Sequence, residues 1–84
     1  MVTIYTISEC PYCTELKDIL TSNGIEYIDV NVELPENEAT YNKIHDLTKS
    51  DQVPIIRVGN QLLVPNVSFN TIKDAGNIIK KLLG

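Results

Sequence analysis

Only two cysteines occur in this 84-residue chain, Cys10 and Cys13, and both fall within the stretch ISECPYCTELK (Ile7–Lys17). So low a count excludes a disulfide-scaffolded mini-protein, which would need several pairs. Histidine is scarcer still, with His45 alone; a structural zinc site takes four ligands, so the cysteine pair and His45 fall short within one chain and no metal is expected. Positive charge is sparse: seven Lys and Arg stand against eleven Asp and Glu, a formal net charge of −4. Nucleic-acid binding rests on neutralising phosphates with basic side chains, so no nucleic-acid partner is expected. Lys80-Lys81 is the only adjacent basic pair, placed to complement the C-terminal end of a predicted helix. Long apolar runs are absent, which excludes a membrane-spanning helix. The N-terminus shows no charged start, apolar stretch and small-residue cleavage site, so a cytoplasmic location is expected. There, paired thiols stay reduced unless they cycle. No repeat or low-complexity tract interrupts the chain.

What is present suits one globular domain over residues 1–84, with 43% hydrophobic and 21% charged residues. VTIYTI (Val2–Ile7) is rich in β-branched and aromatic residues and predicts a strand buried on both faces. Pro11 suits the first turn of a following helix, where its missing N–H costs nothing. Leu16, Ile19, Leu20 and Asn23 recur at helical spacing, and Gly24 provides the stop. IEYIDVNV (Ile25–Val32) alternates apolar and polar residues and predicts a second strand. After the acidic, turn-prone ELPENE, a second helix is expected from about Glu36, with Tyr41, Ile44, Leu47 and Thr48 on one face. VPIIRV (Val53–Val58) predicts a third strand, and Gly59-Asn60 a tight turn into QLLV. Ser68 or Asn70 can cap a last helix whose apolar stripe is Phe69, Ile72, Ala75, Gly76, Ile79, Leu82 and Leu83. The order β-α-β-α-β-β-α predicts an α/β fold: a four-stranded mixed sheet flanked by three helices. Its first crossover is right-handed and joins two parallel strands, and the terminal hairpin adds antiparallel ones.

On that scaffold Cys10 falls near the N-cap of the first helix and Cys13 within its first turn. The free N–H groups and dipole of a helix N-terminus favour an anion, so a Cys10 thiolate is expected to form below the free thiol pKa of about 8.5. Glu9 opposes this with a solvent-screened negative charge. Cys13, one turn along, is expected to be more shielded, and the spacing lets the two sulfurs close locally. An attacking thiol and a resolving thiol would then exchange disulfides without a cofactor. A purely structural role is disfavoured, because closing so small a loop constrains little chain. A second feature is QVP (Gln52-Val53-Pro54). Proline there reads either as an ordinary strand start or as a cis bond that turns the Val53 backbone outward beside the cysteines.

CPYC after an apolar strand, QVP before a hairpin and a closing amphipathic helix resemble the glutaredoxins, within the thioredoxin-fold superfamily, over nearly the whole chain. The resemblance implies a thioredoxin-like fold and a thiol–disulfide oxidoreductase reducing protein or glutathione mixed disulfides. It makes Cys10 the nucleophile, Cys13 the resolving thiol and Pro54 cis, with glutathione as co-substrate and a monomer as the working state. Substrate contacts are expected from Pro11, Tyr12, Gln52, Val53, Pro54 and Asn66. The sequence departs from the family at Ile7, where a basic residue is frequent, and at Gln52, where Thr is common. It departs again at VPNV (Val64–Val67), where a Gly-Gly segment ending in Asp usually cradles one end of glutathione. QVPII resembles small redoxins recharged by thioredoxin reductase that supply electrons to ribonucleotide reductase, and this is the alternative of the same fold. An alternative of another class is a non-enzymatic carrier of a 2Fe–2S cluster, against which the proline inside the motif argues. Elsewhere, Lys17 is expected to tune the local potential or be solvated, His45 to lie far from the thiols, and Glu33, Glu36 and Glu38 to form a soluble loop.

Overall fold

The sheet grows outward from the most apolar segment of the chain. In the computed structural model, which describes Met1–Gly84, β1 (Val2–Thr6) is buried at four of its five positions and is paired on both sides. β2 (Tyr27–Asn31) lies parallel to it, in register from Val2↔Tyr27 to Thr6↔Asn31. β3 (Ile55–Val58) lies antiparallel on its other edge, with Val2 opposite Val58 and Tyr5 opposite Ile55. β4 (Gln61–Leu63) closes a hairpin on β3, giving the order β2-β1-β3-β4. Gly59, at φ 60°, takes the first turn position of that hairpin, where a positive φ matches the twist of the strands.

α1 (Pro11–Ser22) makes the crossover from β1 to β2. A 3₁₀ turn at Pro35–Asn37 leads into α2 (Glu38–Thr48), and α3 (Ile72–Leu83) ends the chain. Because side chains alternate along each strand, the sheet has two distinct faces. Val2, Ile4, Ile56 and Leu63 pack with Leu16 and Leu20 of α1 and with Ile72, Ala75 and Ile79 of α3. Tyr5 and Ile55 point the other way and pack with Val32 and with Ile44 of α2. The first face holds ten buried residues and the second four. Complete burial of residues such as Leu16, Leu20, Ile56 and Ile79 contributes roughly 1.5–3 kcal/mol each, so the α1–α3 face dominates stability.

Element order and the mixed sheet match the sequence reading, and several boundaries shift for local reasons. Asn23 does not pack but caps α1, its Nδ2 donating to the Ile19 carbonyl at 2.7 Å. Gly24 follows at φ 67°, and the N–H groups of Gly24 and Ile25 close back on Thr21 and Leu20 at 3.0 and 2.9 Å. That Schellman closure draws Ile25 out of the second strand, which starts at Tyr27. On α2 only Ile44 is buried; Leu47, expected beside it, is 63% exposed. The cap of α3 is Thr71, whose hydroxyl accepts from the Asp74 N–H at 3.1 Å, and neither Ser68 nor Asn70. Phe69 is buried ahead of that helix, while Leu82 and Leu83 in its last turn remain 41% and 46% exposed.

Candidate active site

The loop Ile7–Glu9 carries the chain from the centre of the sheet to the start of α1. It is held by residues at and just past the end of the neighbouring strand: the Ser8 N–H donates to Glu33 Oε1 at 2.6 Å, and Asn31 Nδ2 donates to Ser8 Oγ at 3.1 Å. The Val32 N–H continues the ladder to the Thr6 carbonyl at 2.8 Å. Glu33, expected in a merely soluble acidic loop, therefore ties down the segment before the cysteines. No local motif announces this. The signal lay in topology, because residues that follow paired ends of two parallel strands must lie side by side.

Glu9, in the left-handed region at φ 55°, turns the chain into Cys10, which occupies the N-cap with extended backbone and is followed by Pro11 at the first helical position. Cys10 and Cys13 are joined in a disulfide, their Cα atoms 5.2 Å apart. Cys10 Sγ accepts the Cys13 N–H at 3.1 Å, so a sulfur does here what Ser or Asp does at an ordinary N-cap. Thr14 adds two bonds to the Cys10 carbonyl, from its N–H at 3.1 Å and its hydroxyl at 3.2 Å. Both sulfur residues are buried, Cys10 at 9% exposure and Cys13 at 2%. A reagent reaches the first more readily.

A cleft of about 420 Å³ opens beside the motif, where Tyr12 projects at 63% exposure and forms one wall. Gln52, Val53 and Pro54 line it from the start of β3, and Asn66 from the loop after β4. The Val53–Pro54 peptide is cis, and no backbone hydrogen bond of the loops and turns engages the Val53 N–H or carbonyl. Asn66, at φ 61°, donates its Nδ2 to Gln52 Oε1 at 2.7 Å, so two expected substrate contacts are bonded to each other across the rim. Pro11 is not among the lining residues; it is spent on starting α1. Thr71 and Ile72, missed in the sequence reading of the site, bring the N-terminus of α3 into the wall.

All ten lining residues are uncharged. Lys17 does not face the cleft but pairs with Asp29 at 2.7 Å. Partial burial pushes the Asp29 carboxyl up, and the hydrogen bonds from Lys17 and Thr6 together with the Lys17 charge outweigh it, leaving the carboxyl below its ordinary value. His45 is on α2 and pairs with Asp51 at 2.9 Å. No group of three or more His, Cys, Asp or Glu side chains is gathered to hold a metal ion, and no helix is long and apolar enough to cross a membrane.

A cysteine pair separated by two residues, set at the N-terminus of the first helix of a thioredoxin-like fold, defines a thiol–disulfide oxidoreductase. The sequence model of the glutaredoxin family matches residues 2–63. A glutaredoxin-like 8.6 kDa protein in the rubredoxin operon of Clostridium pasteurianum is 33% identical over 66 residues, spanning 76% of this chain and 83% of its own. Glutaredoxin-2 of Schizosaccharomyces pombe is 29% identical over 82 residues, 96% of this chain and 74% of that protein. The chain belongs to the glutaredoxin family. Among solved structures, the glutaredoxin-like NrdH-redoxin of Escherichia coli superposes with a TM-score of 0.73 at 18% identity, covering 96% of this chain and 92% of that one. A buckwheat glutaredoxin–glutathione complex gives 0.75 at 14% identity, covering 98% and 74%. At such identities these two show a shared fold alone.

Proposed function

We propose that the protein reduces protein disulfides and glutathione mixed disulfides by a dithiol cycle in which Cys10 attacks and Cys13 resolves. The observation that carries this reading is Cys10 at the N-cap of α1, its sulfur accepting the Cys13 N–H and the residue more exposed than Cys13, while Tyr12 of the same motif lines the cleft. In the reduced protein the Cys10 thiolate displaces one thiolate from a substrate disulfide and forms a mixed disulfide. Cys13, deprotonated, then attacks Cys10 Sγ, closes the internal disulfide and releases the second substrate thiol. Two electrons pass from the two protein thiols to the substrate disulfide, and the two released thiolates take up the protons. Val53, with its backbone free, and Tyr12 are the groups offered to an extended substrate. Gln52 and Asn66 meet it at the rim once their mutual bond opens.

Glutathione is the proposed co-substrate that recharges the pair, and the N-terminus of α3 at Thr71–Ile72 is the feature that suits one of its carboxylates. A specific observation supports a second reading: with every lining residue uncharged, the cleft offers no side-chain ion pair to a small charged tripeptide. Recharging by a thioredoxin reductase, with a disulfide-bearing enzyme such as ribonucleotide reductase as the electron acceptor, needs no such pairing.

Equilibration in graded reduced and oxidised glutathione, followed by thiol trapping and mass measurement, separates the two. A two-thiol transition near −200 to −230 mV, passing through a glutathione adduct on Cys10, supports glutathione coupling. Disulfide formation only at lower potential and without an adduct supports thioredoxin reductase. A Cys13→Ser variant should hold the adduct and a Cys10→Ser variant should form none. If Cys10 and Cys13 never pair in solution, the dithiol cycle is wrong.

A further inference from the structure

The sheet face opposite the α1–α3 layer carries a second cavity, of about 370 Å³, between α2 and the β3–β4 hairpin. It exists because α2 covers its face thinly, with Ile44 its only buried residue. Three features of its lining point to one kind of ligand. Its walls are apolar, from Tyr5, Ile44, Leu47 and Leu62. Lys43 and Arg57 are also in the lining, two of only seven basic residues in a chain of net charge −4, and no acidic residue joins them. Neither takes part in the Lys17–Asp29 ion pair or in the His45–Asp51 contact. Arg57 Nε donates to the Gly59 carbonyl at 2.9 Å, which anchors the base of the guanidinium and leaves its terminal nitrogens free.

The third feature is Tyr5. Its side chain belongs to the core, at 6% exposure, yet its hydroxyl has no partner within the protein. No fully enclosed side-chain nitrogen or oxygen lacks a hydrogen bond, so the Tyr5 oxygen is not fully enclosed, and its residue lines the cavity. The strand register places Arg57 opposite Thr3 and Ile55 opposite Tyr5, making Tyr5 and Arg57 diagonal neighbours on one face, within reach of a shared ligand atom. Residues carrying a hydroxyl donor, an ammonium and a guanidinium fork thus line one cavity together with apolar side chains. The fork geometry of arginine matches a planar carboxylate with two parallel hydrogen bonds. The volume falls in the range of small-molecule sites, about 300–1,000 Å³.

We propose that this cavity binds a small amphipathic monocarboxylate, its hydrocarbon or aromatic body against Ile44, Leu47 and Leu62 and its carboxylate on Lys43, Arg57 and the Tyr5 hydroxyl. The site lies across the sheet from the cysteine pair and does not depend on the reading of the dithiol cycle.

The test is a titration of the full-length oxidised protein, followed by amide chemical shifts, with octanoate, octan-1-ol and inorganic phosphate as probes. Octanoate should give saturable shifts centred on Tyr5, Ile44, Arg57 and Leu62. Octan-1-ol and phosphate, each lacking one half of the match, should bind at least tenfold more weakly. Lys43→Gln, on the exposed side of α2, and Arg57→Gln should each weaken octanoate at least fivefold, and Tyr5→Phe at least threefold. Octan-1-ol binding as tightly as octanoate would reduce the cavity to an apolar hole and overturn the proposal. Octanoate affinity unchanged in Lys43→Gln and Arg57→Gln would overturn it too, as would shifts centred on Tyr12 and Pro54. Because Lys43 contributes to no buried cluster, its variant remains informative even where Tyr5→Phe perturbs the core.

Discussion

At Asp29, burial and pairing pull one carboxyl in opposite directions. Its partial burial favours the neutral acid, while Lys17 Nζ at 2.7 Å and the Thr6 hydroxyl at 2.6 Å favour the anion and prevail. The folded-state carboxyl thus titrates below the unfolded one. A depressed carboxylate pKa contributes stability that is fully present above the unfolded value, near pH 4, and is lost as pH falls through the folded value. An Asp29→Asn variant should therefore be less stable than the native protein at pH 7, and the difference should close as pH falls below about 4. Denaturant midpoints measured from pH 7 down to pH 2 read it directly. Both side chains are about a third exposed, so screening keeps the gap under about 1 kcal/mol. A gap that stays constant with pH would assign the loss to packing or hydrogen bonding. Nothing local in the sequence ties Lys17 to Asp29: they stand on different elements and meet only because α1 crosses back over the β1–β2 pair.

At the scale of elements, α1 and α3 meet at a contact that leaves no room for a side chain at Gly76. A Cβ built on Gly76 would come within 2.7 Å of Ile19 Cγ2, so the absence of a side chain is what lets the two helices close on the core. Ile19 branches at Cβ, and its Cγ2 cannot swing aside as the tip of a long chain could. Gly76→Val adds three carbons at that contact without the helix-propensity gain that alanine brings. It should cost about 1–3 kcal/mol, from overpacking. Urea unfolding should show a lower midpoint with an unchanged slope, and an unaltered midpoint would mean that the helices separate freely. Sequence period was enough to order the elements, since strands at period two and helices at 3.6 leave different apolar patterns. Their ends were less legible. Ser68, Asn70 and Thr71 all offer cap chemistry, but the Ser68 hydroxyl already accepts the Val64 N–H at 3.0 Å. Its own N–H returns to the Val64 carbonyl at 2.8 Å. Loop closure after β4 consumes Ser68, and the cap falls to Thr71. The same closure places Asn66 on the cleft rim, which no spacing along the chain would reveal.

The whole molecule is unequal on its two sides, and the inequality bears on function. Ten buried residues secure α1 and α3 to the sheet, while α2 contributes Ile44 alone to a cluster of four. Segments with few buried apolar contacts open at free energies below the global value. Native-state hydrogen exchange should accordingly find the amides of Tyr41–Thr48 exchanging through a local opening. Those of β1, β3, α1 and α3 should exchange only with global unfolding. Ile44→Ala should lower the α2 opening energy more than it lowers the stability read from the slowest β1 amides. The candidate active site draws on the start of α1, the approach to β3 and the start of α3, and on nothing from α2. Disulfide exchange at Cys10 should consequently run at the native rate in Ile44→Ala, measured by single-turnover reduction of a peptide disulfide under conditions where the variant remains folded. If α2 exchanges at the same free energy as β1, the molecule opens as one unit and the weak attachment of α2 is wrong. If instead α2 opens locally and exchange at Cys10 slows with it, the cysteine pair depends on the far face of the sheet through a coupling its own contacts do not show.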